Sequence, residues 1–453
     1  MKTAVITVLI VWILLSGVAW MLQPKPDDLS KTNLTWLSDD NPTRREQLGL
    51  FNRLNPQYNV RLDPVDTNTG GGMEKVIVQS IAGVGPDLFD SYGSYKLATY
   101  VKAGIAWDVT DELKNAGIDV KKDAWKLALS SVVYKGRVYG VPSNVGTPAI
   151  WFNKDLFDKY KVPYPKNVRT WKEFLPILQR LTIRDEHGRV KQYGFLCDSW
   201  MVTQFIWQWG GRTYTPDGTK CVIDSPEAIA GVQFFHDLMY KYHVMPTPND
   251  EAAMATQGGW GSGTMTLFMG GKGAMALGGR YWLCSLRDIK ELKLGAIECP
   301  YGPHKIYWGS SRVTIINKNS PRRKAALAFL KYLASHDYNE LVNHQADCVS
   351  PMKAYCYTDK YMHDPDYPNE DFNAVWRDTN DYAMTEEVSP FINAQTAGRI
   401  VEKQLDLVRN NQKPATQAMK AAAREVNAEI QKNLDRDPNL RAEYDRLMGT
   451  KAK

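Results

Sequence analysis

Short apolar runs alternate with helix-starting residues along most of the chain, and this alternation is its most restrictive feature. Residues 34–38 and 59–63 predict strands, and Asn41 followed by Pro42 is typical of the first turn of a helix between them. Residues 87–90 predict a third strand, which is again followed by a helical pattern. Strands that alternate with helices indicate an α/β fold with a largely parallel sheet.

The same alternation continues through the rest of the chain. Thr170 and Ser225 have the side chains preferred at helix N-caps, and each precedes an amphipathic run. Further strands are predicted over residues 138–142, 149–153, 193–197, 273–278, 292–300 and 313–317. Because 453 residues are too many for one ordinary core, we expect two domains.

The N-terminal residues have the pattern of an export signal. Residues 4–22 form an apolar run after the single positive charge of Lys2, with small residues at Gly17 and Ala19. This pattern predicts either a cleaved signal peptide or a membrane anchor over residues 1–22, followed by a polar linker over 23–32. In both cases the remainder of the chain is expected to be exported, to the periplasm or the cell surface.

Composition argues against nucleic acid as a partner and favours a ligand with a flat face. The formal net charge is only +6, from 56 basic and 50 acidic residues, so we do not expect nucleic-acid binding. The chain has 14 Trp and 23 Tyr, which suits a protein that holds the flat face of a ligand. Six Cys in an oxidising compartment leave disulfides and free thiols equally open.

Common catalytic and cofactor motifs are absent from the sequence. It contains no GxxxxGK[ST] phosphate loop, no HExxH zinc helix and no GxSxG nucleophile elbow. The seven His are scattered without the spacing of a metal site. We therefore expect no cofactor, no metal and no enzyme activity, although a carboxylate pair for glycoside hydrolysis stays open because Asp and Glu are plentiful.

Several short motifs occur along the chain in an order that resembles that of a known protein family. Residues 51–56 read FNRLNP, 85–88 GPDL, 134–142 YKGRVYGVP, 150–155 IWFNKD and 268–275 FMGGKGAM. In this order they resemble the landmarks of the family 1 extracellular solute-binding proteins, and within them the sugar-specific, maltodextrin-binding-like group. The resemblance covers nearly all of residues 33–432.

The resemblance implies a fold and a function. The fold is a two-lobed α/β structure of the periplasmic-binding-protein type II, with hinge strands crossing between the lobes near residues 142–145, 292–300 and 334–340. Lobe 1 would comprise residues 33–142 and 295–335, and lobe 2 residues 143–294 and 336–453. The implied function is capture of a sugar or oligosaccharide in the interlobe cleft by a monomer, followed by delivery to the permease subunits of an ABC importer.

Candidate ligand-binding residues follow the predicted strands, because ligands of such folds sit beyond the carboxyl ends of the strands. A sugar needs aromatic rings against its C–H faces and fixed polar groups for its hydroxyls. We expect Trp36 and Trp282 to be the main aromatic contacts. The full candidate set is Trp36, Ser38, Asp39, Asp90, Ser91, Tyr92, Asn144, Trp151, Trp200, Arg280, Tyr281, Trp282, Trp308, Ser310 and Arg312.

Three other functions of this fold remain open at the level of sequence. A transferase enzyme would use a cleft cysteine, for which Cys284 and Cys299 are the candidates. An iron(III)-binding protein would need paired tyrosines, such as Tyr355 and Tyr357. A polyamine-binding protein would flank a cation with aromatic rings and hold its amines with carboxylates.

Overall fold

In the computed structural model, the described residues are 30–65, 70–166, 168–254 and 263–449, together with Trp12 and Ser16. Apart from those two residues, the predicted signal peptide or anchor over 1–22 lies outside the described residues, as does most of the 23–32 linker. Within the described ranges, we find no helix whose length and hydropathy would let it cross a membrane.

The secondary structure alternates as the sequence predicts. The strands are β1 (Thr32–Ser38), β2 (Tyr58–Pro64), β3 (Leu88–Tyr92), β4 (Val133–Tyr134), β5 (Arg137–Val138), β6 (Gly140–Gly146), β7 (Pro148–Asn153), β8 (Ile183–Arg184), β9 (Val190–Leu196), β10 (Gly273–Gly279), β11 (Leu294–Ile297), β12 (Tyr307–Trp308), β13 (Ser310–Ile316) and β14 (Ala383–Met384). The helices are α1 (Pro42–Leu54), α2 (Gly70–Ile81), α3 (Ser94–Lys102), α4 (Thr110–Asn115), α5 (Val120–Asp123), α6 (Lys126–Val132), α7 (Lys154–Lys159), α8 (Trp171–Arg180), α9 (Val202–Gln208), α10 (Pro226–Tyr240), α11 (Pro248–Met254), α12 (Gly263–Met269), α13 (Leu283–Leu286), α14 (Arg323–Leu333), α15 (His336–Gln345), α16 (Asp359–Met362), α17 (Ala374–Thr379), α18 (Ala394–Arg409), α19 (Ala415–Arg436) and α20 (Pro438–Gly449).

Side-chain caps explain why several helices begin where they do. The Asn41 side chain accepts a hydrogen bond from the backbone N–H of Arg44 and so starts α1, with Pro42 in the first turn. Thr170 and Glu173 form a reciprocal capping box at the start of α8. Ser225 caps α10 in the same way as Asn41 caps α1. These predicted helix starts are confirmed.

Ten of the fourteen strands form two five-stranded sheets, each the centre of one α/β lobe, and the other four form the two-stranded sheets β4-β5 and β12-β14. The first sheet has the order β2-β1-β3-β13-β6, and the second has the order β11-β7-β10-β9-β8. In the first sheet β2, β1 and β3 are parallel, whereas β13 runs antiparallel to both of its neighbours. In the second sheet only β9 and β10 pair in parallel. The prediction of a two-lobed α/β fold is confirmed, but the expectation of largely parallel sheets is wrong, because both sheets are mixed.

The chain passes between the sheets at points that differ from the expected boundaries. All of β6 belongs to the first sheet, so the first passage lies at Thr147 rather than at residue 142. Strand β11 pairs with β7 in the second sheet, although residues 295–335 were expected in lobe 1. Helix α15 packs against α1 and α14 of the first lobe, although residues from 336 onward were expected in lobe 2. The third passage therefore lies after α15 and not near residues 334–340.

Two apolar clusters fill the interior of the molecule. The first contains Trp36 and Val313 from the first sheet, and also Trp151 and Ala276 from the second sheet. The second cluster contains Phe152 and Phe195 of the second sheet together with buried residues of the helices α18 and α19. The first cluster thus belongs to both lobes.

A buried ion pair lies at the centre of the first sheet. Arg312 of β13 and Asp90 of β3 are both fully buried, with the guanidinium Nη1 3.2 Å from the carboxylate Oδ2. The other contacts of Asp90 come from β1 and β13: Ser38 Oγ, Trp36 Nε1 at 2.8 Å and Thr314 Oγ1 at 2.6 Å donate hydrogen bonds to it. Arg312 Nη2 donates to Gln47 of α1 and to the Tyr338 hydroxyl of α15. This network joins three strands of the sheet to two helices that cover it.

Desolvation at this pair is strong. Burial raises the pKa of Asp90 to about 7, although the charge of Arg44 and the hydrogen bonds from Ser38, Thr314 and Trp36 act in the opposite direction. The negative charge of Asp90 therefore depends on all of its partners, and removing one member of the pair should be costly.

We expect Asp90→Ala to lower the free energy of unfolding by about 3–5 kcal/mol, because it removes the carboxylate nearest to the buried Arg312 guanidinium and leaves only Asp347, whose Oδ2 lies 3.6 Å from Arg312 Nη2. Asp90→Asn should lower it less, because the amide oxygen can still accept hydrogen bonds. Urea unfolding followed by tryptophan fluorescence measures both. Asp111→Ala is the matched control, since the Asp111 side chain is 70 % exposed and its ion pair with Arg137 is at the surface. Equal losses for Asp90→Ala and Asp111→Ala would contradict a central role of the buried pair.

Candidate functional site

A cavity of about 910 Å³ opens where strands of the two sheets end. It is lined by residues at or just beyond the carboxyl ends of β1, β3, β9 and β10, which contribute Asp39, Tyr92, Asp198 and Gly279. The passage between the sheets, at Thr147, also lies in its wall. This is the position at which open α/β sheets bind ligands.

Seven of the predicted site residues line this cavity together. They come from both sheets and from the segments between them, and they are Asp39, Tyr92, Asn144, Trp200, Tyr281, Trp308 and Ser310. The structure thus brings together side chains that lie up to 271 positions apart in the chain, from residue 39 to residue 310.

The aromatic part of the wall is built around two tryptophans. The rings of Trp200 and Trp308 meet edge to face, with centroids 4.7 Å apart and planes inclined by 69°. Trp200 follows β9 and is 42 % exposed, whereas Trp308 lies in β12, where its backbone N–H donates to Gln204. Tyr281 lines the same cavity, and burial raises the pKa of its hydroxyl to about 12, so it is neutral near pH 7. These rings present an apolar, fixed surface to the cavity.

The polar part of the wall comes mostly from the first lobe and from the segments after α15. The Tyr92 hydroxyl donates to Asp39 Oδ2 at 3.4 Å. Arg44 is bonded to Asp347, whose other oxygen accepts a hydrogen bond from Asn144 Nδ2 at 3.2 Å. Carboxylate, amide and hydroxyl groups are thereby held in fixed orientations around the cavity.

Eight predicted site residues do not line the cavity. They are at most 2 % exposed and belong to the interior: Trp36, Ser38, Asp90, Ser91, Trp151, Arg280, Trp282 and Arg312. Their side chains are enclosed by protein and the structure does not bring them to the cavity, so their contact with a ligand stays a prediction.

The two tryptophans expected to be the main ligand contacts show why these residues do not reach the cavity. Trp36 lies inside β1 rather than after it, and its ring packs 4.9 Å from the ring of Phe329 under the sheet. Trp282 folds back beneath the end of β10, so closely that a Cβ placed on Gly278 would lie 2.5 Å from its ring. Both rings therefore support the cavity wall from behind.

Trp151 and Arg280 also hold the wall from within. Trp151 Nε1 donates to the backbone oxygen of Gly279 at 3.1 Å, and its ring packs 4.6 Å from that of Trp376. Arg280 donates to the backbone oxygens of Asn343 and Cys348. These contacts fix the backbone at the end of β10 and the loop after α15, which both reach the cavity.

The sequence reasoning missed a group of lining residues. They lie one or more positions beyond the strand ends or in the segments after α15 and β14, and include Asp40, Asn41, Arg44, Lys96, Asp198, Met201, Asp347, Cys348, Thr385 and Glu386. The rule that ligands bind beyond the carboxyl ends of strands could have identified Asp40, Asn41 and Asp198. No local signal marks Asp347 or Glu386, because only the third passage of the chain brings them to the cavity.

The residues that a cysteine-dependent transferase or an iron(III)-binding protein would use lie outside the cavity. Cys284 and Cys299 do not line the cavity; burial raises the pKa of Cys284 to about 12 and that of Cys299 well above its usual range, so both thiols are protonated. Tyr355 and Tyr357 are also outside the cavity lining. The six Cys lie within the described ranges and all are free thiols.

Among the described residues, one group of side chains has ligand atoms close enough together to hold a metal ion. His344, Asp364 and Asp366 place one ligand atom each within 4.8 Å of the others. His344 Nδ1 lies 2.9 Å from Asp364 Oδ2, which is the distance of an ordinary hydrogen-bonded His–carboxylate pair. None of the three residues lines the cavity between the sheets.

Comparison with known proteins places this geometry in a family. Residues 37–340, more than half of the chain, match the family model described as bacterial extracellular solute-binding protein. An uncharacterized ABC transporter extracellular-binding protein of Pyrococcus horikoshii is 30% identical over 135 residues, which are 29% of each chain. The sn-glycerol-3-phosphate-binding periplasmic protein of Pectobacterium atrosepticum is 21% identical over 87% of this chain and 90% of its own length.

Solved structures share the fold. An ABC substrate-binding protein of Listeria monocytogenes, solved in complex with cycloalternan, superimposes with a TM-score of 0.75 at 21% identity, over 88% of this chain and 99% of its own. A maltose-bound protein of Thermotoga maritima gives a TM-score of 0.71 at 22% identity, over 87% of this chain and 98% of its own. Together with the family match and the cavity between the two lobes, these comparisons show that the chain belongs to the bacterial extracellular solute-binding proteins.

Proposed function

We propose that the protein binds a sugar or oligosaccharide in the cavity between its lobes and delivers it to an ABC importer. The observation that carries the proposal is the pairing, in one cavity, of the Trp200–Trp308 aromatic surface with fixed carboxylates and amides. The Listeria and Thermotoga proteins of the same fold were solved with cycloalternan and maltose, respectively.

The aromatic surface supplies the apolar part of the binding energy. The exposed 42 % of Trp200 corresponds to roughly 100 Å² of ring surface. Covering that area with the C–H face of a sugar contributes about 2–3 kcal/mol. Two such rings contribute about 4–6 kcal/mol before the cost of ordering the ligand, so polar contacts have to supply the rest of the roughly 8 kcal/mol of a micromolar complex.

The polar surface supplies specificity. Asp39, Asn144 and Asp347 each already hold at least one hydrogen bond to a protein group, so their orientations are fixed before a ligand arrives. Carboxylate oxygens accept more than one hydrogen bond, and each can still receive a ligand hydroxyl. A ligand hydroxyl that found no such partner would be costly to bury.

The transport role rests on family membership and on the architecture. The family is extracellular, so the protein works outside the cytoplasm. We further propose that residues 1–22 are a signal peptide or a membrane anchor and that the protein is a monomer in solution. Its partners in transport would be the permease subunits of an ABC importer. No catalytic step is required of any residue in the cavity, because a receptor returns its ligand unchanged.

Polyamine binding is the alternative that the cavity still accommodates, since it combines aromatic rings with carboxylates. A thermal-shift screen of the purified protein against maltotriose, cyclic and linear glucans, arabino-oligosaccharides, spermidine and iron(III) citrate separates the possibilities. We expect a saccharide to raise the melting temperature, and the saccharide recovered afterwards to be intact. Stabilisation by spermidine or iron but by no saccharide would refute the sugar proposal.

We expect Trp200→Ala and Trp308→Ala each to weaken binding of the saccharide found in the screen by about 2–3 kcal/mol, because each removes one ring surface. Isothermal titration calorimetry measures the loss. Tyr357→Ala is the control, since that side chain is 58 % exposed but lies outside the cavity. Wild-type affinity in both tryptophan variants would show that the ligand binds elsewhere.

We expect the two lobes to close on the ligand. The chain passes between the sheets at Thr147, between β11 and β13, and after α15, so short segments can absorb a rotation. A ligand that contacts both lobes only when they are closed favours that state. Small-angle scattering should therefore show a smaller radius of gyration with saturating saccharide. An unchanged radius, with binding confirmed by calorimetry, would remove closure from the mechanism.

A further inference from the structure

The two rings of the aromatic surface belong to segments that are far apart in the chain. Trp200 lies in the single turn of residues 199–201 that leads directly into α9, and Trp308 lies in β12, 108 positions later. The ring centroids are nevertheless 4.7 Å apart. Because both rings are partly exposed, their contact with each other buries only part of each ring, and other contacts have to fix their relative position.

Two different partners hold the backbone around Trp308. Strand β12 pairs in parallel with β14, and the Gly309 N–H donates to the backbone oxygen of Met384 at 2.8 Å. The Trp308 N–H donates instead to Oε1 of Gln204 at 2.9 Å. Gln204 lies in α9, so the helix that follows Trp200 also binds the backbone of Trp308.

The Gln204 side chain uses both of its polar atoms on this segment. It is fully buried, and its Nε2 donates to Cys299 Sγ, just after β11, at 3.2 Å while Oε1 accepts from Trp308. A backbone N–H can only donate, so the atom opposite it has to be an acceptor. A side chain without an oxygen at position 204 would leave the Trp308 N–H without this partner.

A second glutamine of α9 holds the same segment one helical turn further on. Gln208 Nε2 donates to the backbone oxygens of Pro300 at 3.1 Å and Ile306 at 3.3 Å. Its Oε1 accepts a hydrogen bond from Trp171 Nε1 at 2.8 Å, which fixes the orientation of the amide. Helix α9 is therefore hydrogen-bonded to both the beginning and the end of residues 299–308.

We propose that Gln204 is a positioning residue, which fixes the ring of Trp308 against the ring of Trp200 before a ligand arrives. The inference rests on the proposed function, since it concerns how the sugar-binding surface of the same cavity is assembled. A ring that is already in place loses little further conformational freedom when a sugar stacks on it, so affinity is higher than for a mobile ring.

The first test observes the rings without a ligand. The protein is labelled with 5-fluorotryptophan, and the fluorine NMR signals of the two rings are assigned among the 14 tryptophans from Trp200→Phe and Trp308→Phe. We expect one narrow Trp308 signal in the wild type. Gln204→Met keeps the length of the side chain but has no acceptor, so it should shift or broaden that signal. Gln204→Glu keeps an oxygen opposite the Trp308 N–H and should retain the wild-type signal.

The second test measures affinity by calorimetry with maltotriose, or with whichever glucan or arabino-oligosaccharide raises the melting temperature. Gln204→Met should weaken binding by about tenfold, a smaller loss than that of Trp308→Ala, because the ring is displaced and not removed. In a Trp308→Ala background, Gln204→Met should cause little further loss, since it acts through that ring.

Gln192→Met is the matched control. Gln192 of β9 is also a buried glutamine, and its Nε2 donates to the backbone oxygen of Leu181 at 2.9 Å, but it does not line the cavity. Its substitution can lower stability without moving the Trp308 signal. If Gln204→Met does not fold, as judged by circular dichroism, Gln204→Asn takes its place, because its amide is one carbon shorter and cannot reach the Trp308 N–H in the same way.

An unchanged Trp308 signal in Gln204→Met, or an equal change in Gln192→Met, would overturn the proposal. Losses of affinity that simply add in the double variant of Gln204→Met and Trp308→Ala would overturn it as well. A wild type that binds no saccharide would contradict the proposed function, and the Trp308 signal of the ligand-free variants would still decide the role of Gln204.

Discussion

The buried pair of Asp90 and Arg312 is the interaction on which the rest of the first lobe depends. It lies where β1, β3 and β13 meet, and through Gln47 and Tyr338 it holds the two helices α1 and α15 against the sheet. Those helices in turn carry Arg44 and position the loop of Asp347 at the cavity. The arrangement of charges at the ligand site is therefore an extension of a network whose centre is fully desolvated.

Because the polar side chains of the cavity wall are bonded to this network, the polar part of the wall is rigid. Arg44 at the cavity is bonded to Asp347, so its positive charge is used to hold the structure together, and the five carboxylates of the described lining outnumber its two cationic side chains. Hydroxyl groups, which donate hydrogen bonds, are matched to such a surface.

The sequence predicted the elements better than it predicted the site. Apolar runs and N-cap residues identified strands such as β7 and helices such as α8, because hydrophobic periodicity and capping are local properties. The rule that ligands bind beyond strand ends placed Asp39, Tyr92 and Trp200 correctly at the cavity. It failed for Trp36, which lies within a strand whose end is two residues later, and for Trp282, whose ring turns back under Gly278. Asp347 and Glu386 could not be predicted at all, because tertiary packing of the final third of the chain decides where they lie.

The apolar cluster that belongs to both lobes has a consequence for how the molecule loses its structure. Trp36 and Val313 of one sheet share this cluster with Trp151 and Ala276 of the other, so the first sheet has no interior separate from that of the second lobe, although the second sheet also has a cluster of its own. The two lobes are then expected to melt in one cooperative transition, and half-unfolded molecules with one intact lobe should be rare. For a protein exposed to extracellular proteases, this coupling means that any ligand that stabilises one lobe also protects the other from cleavage.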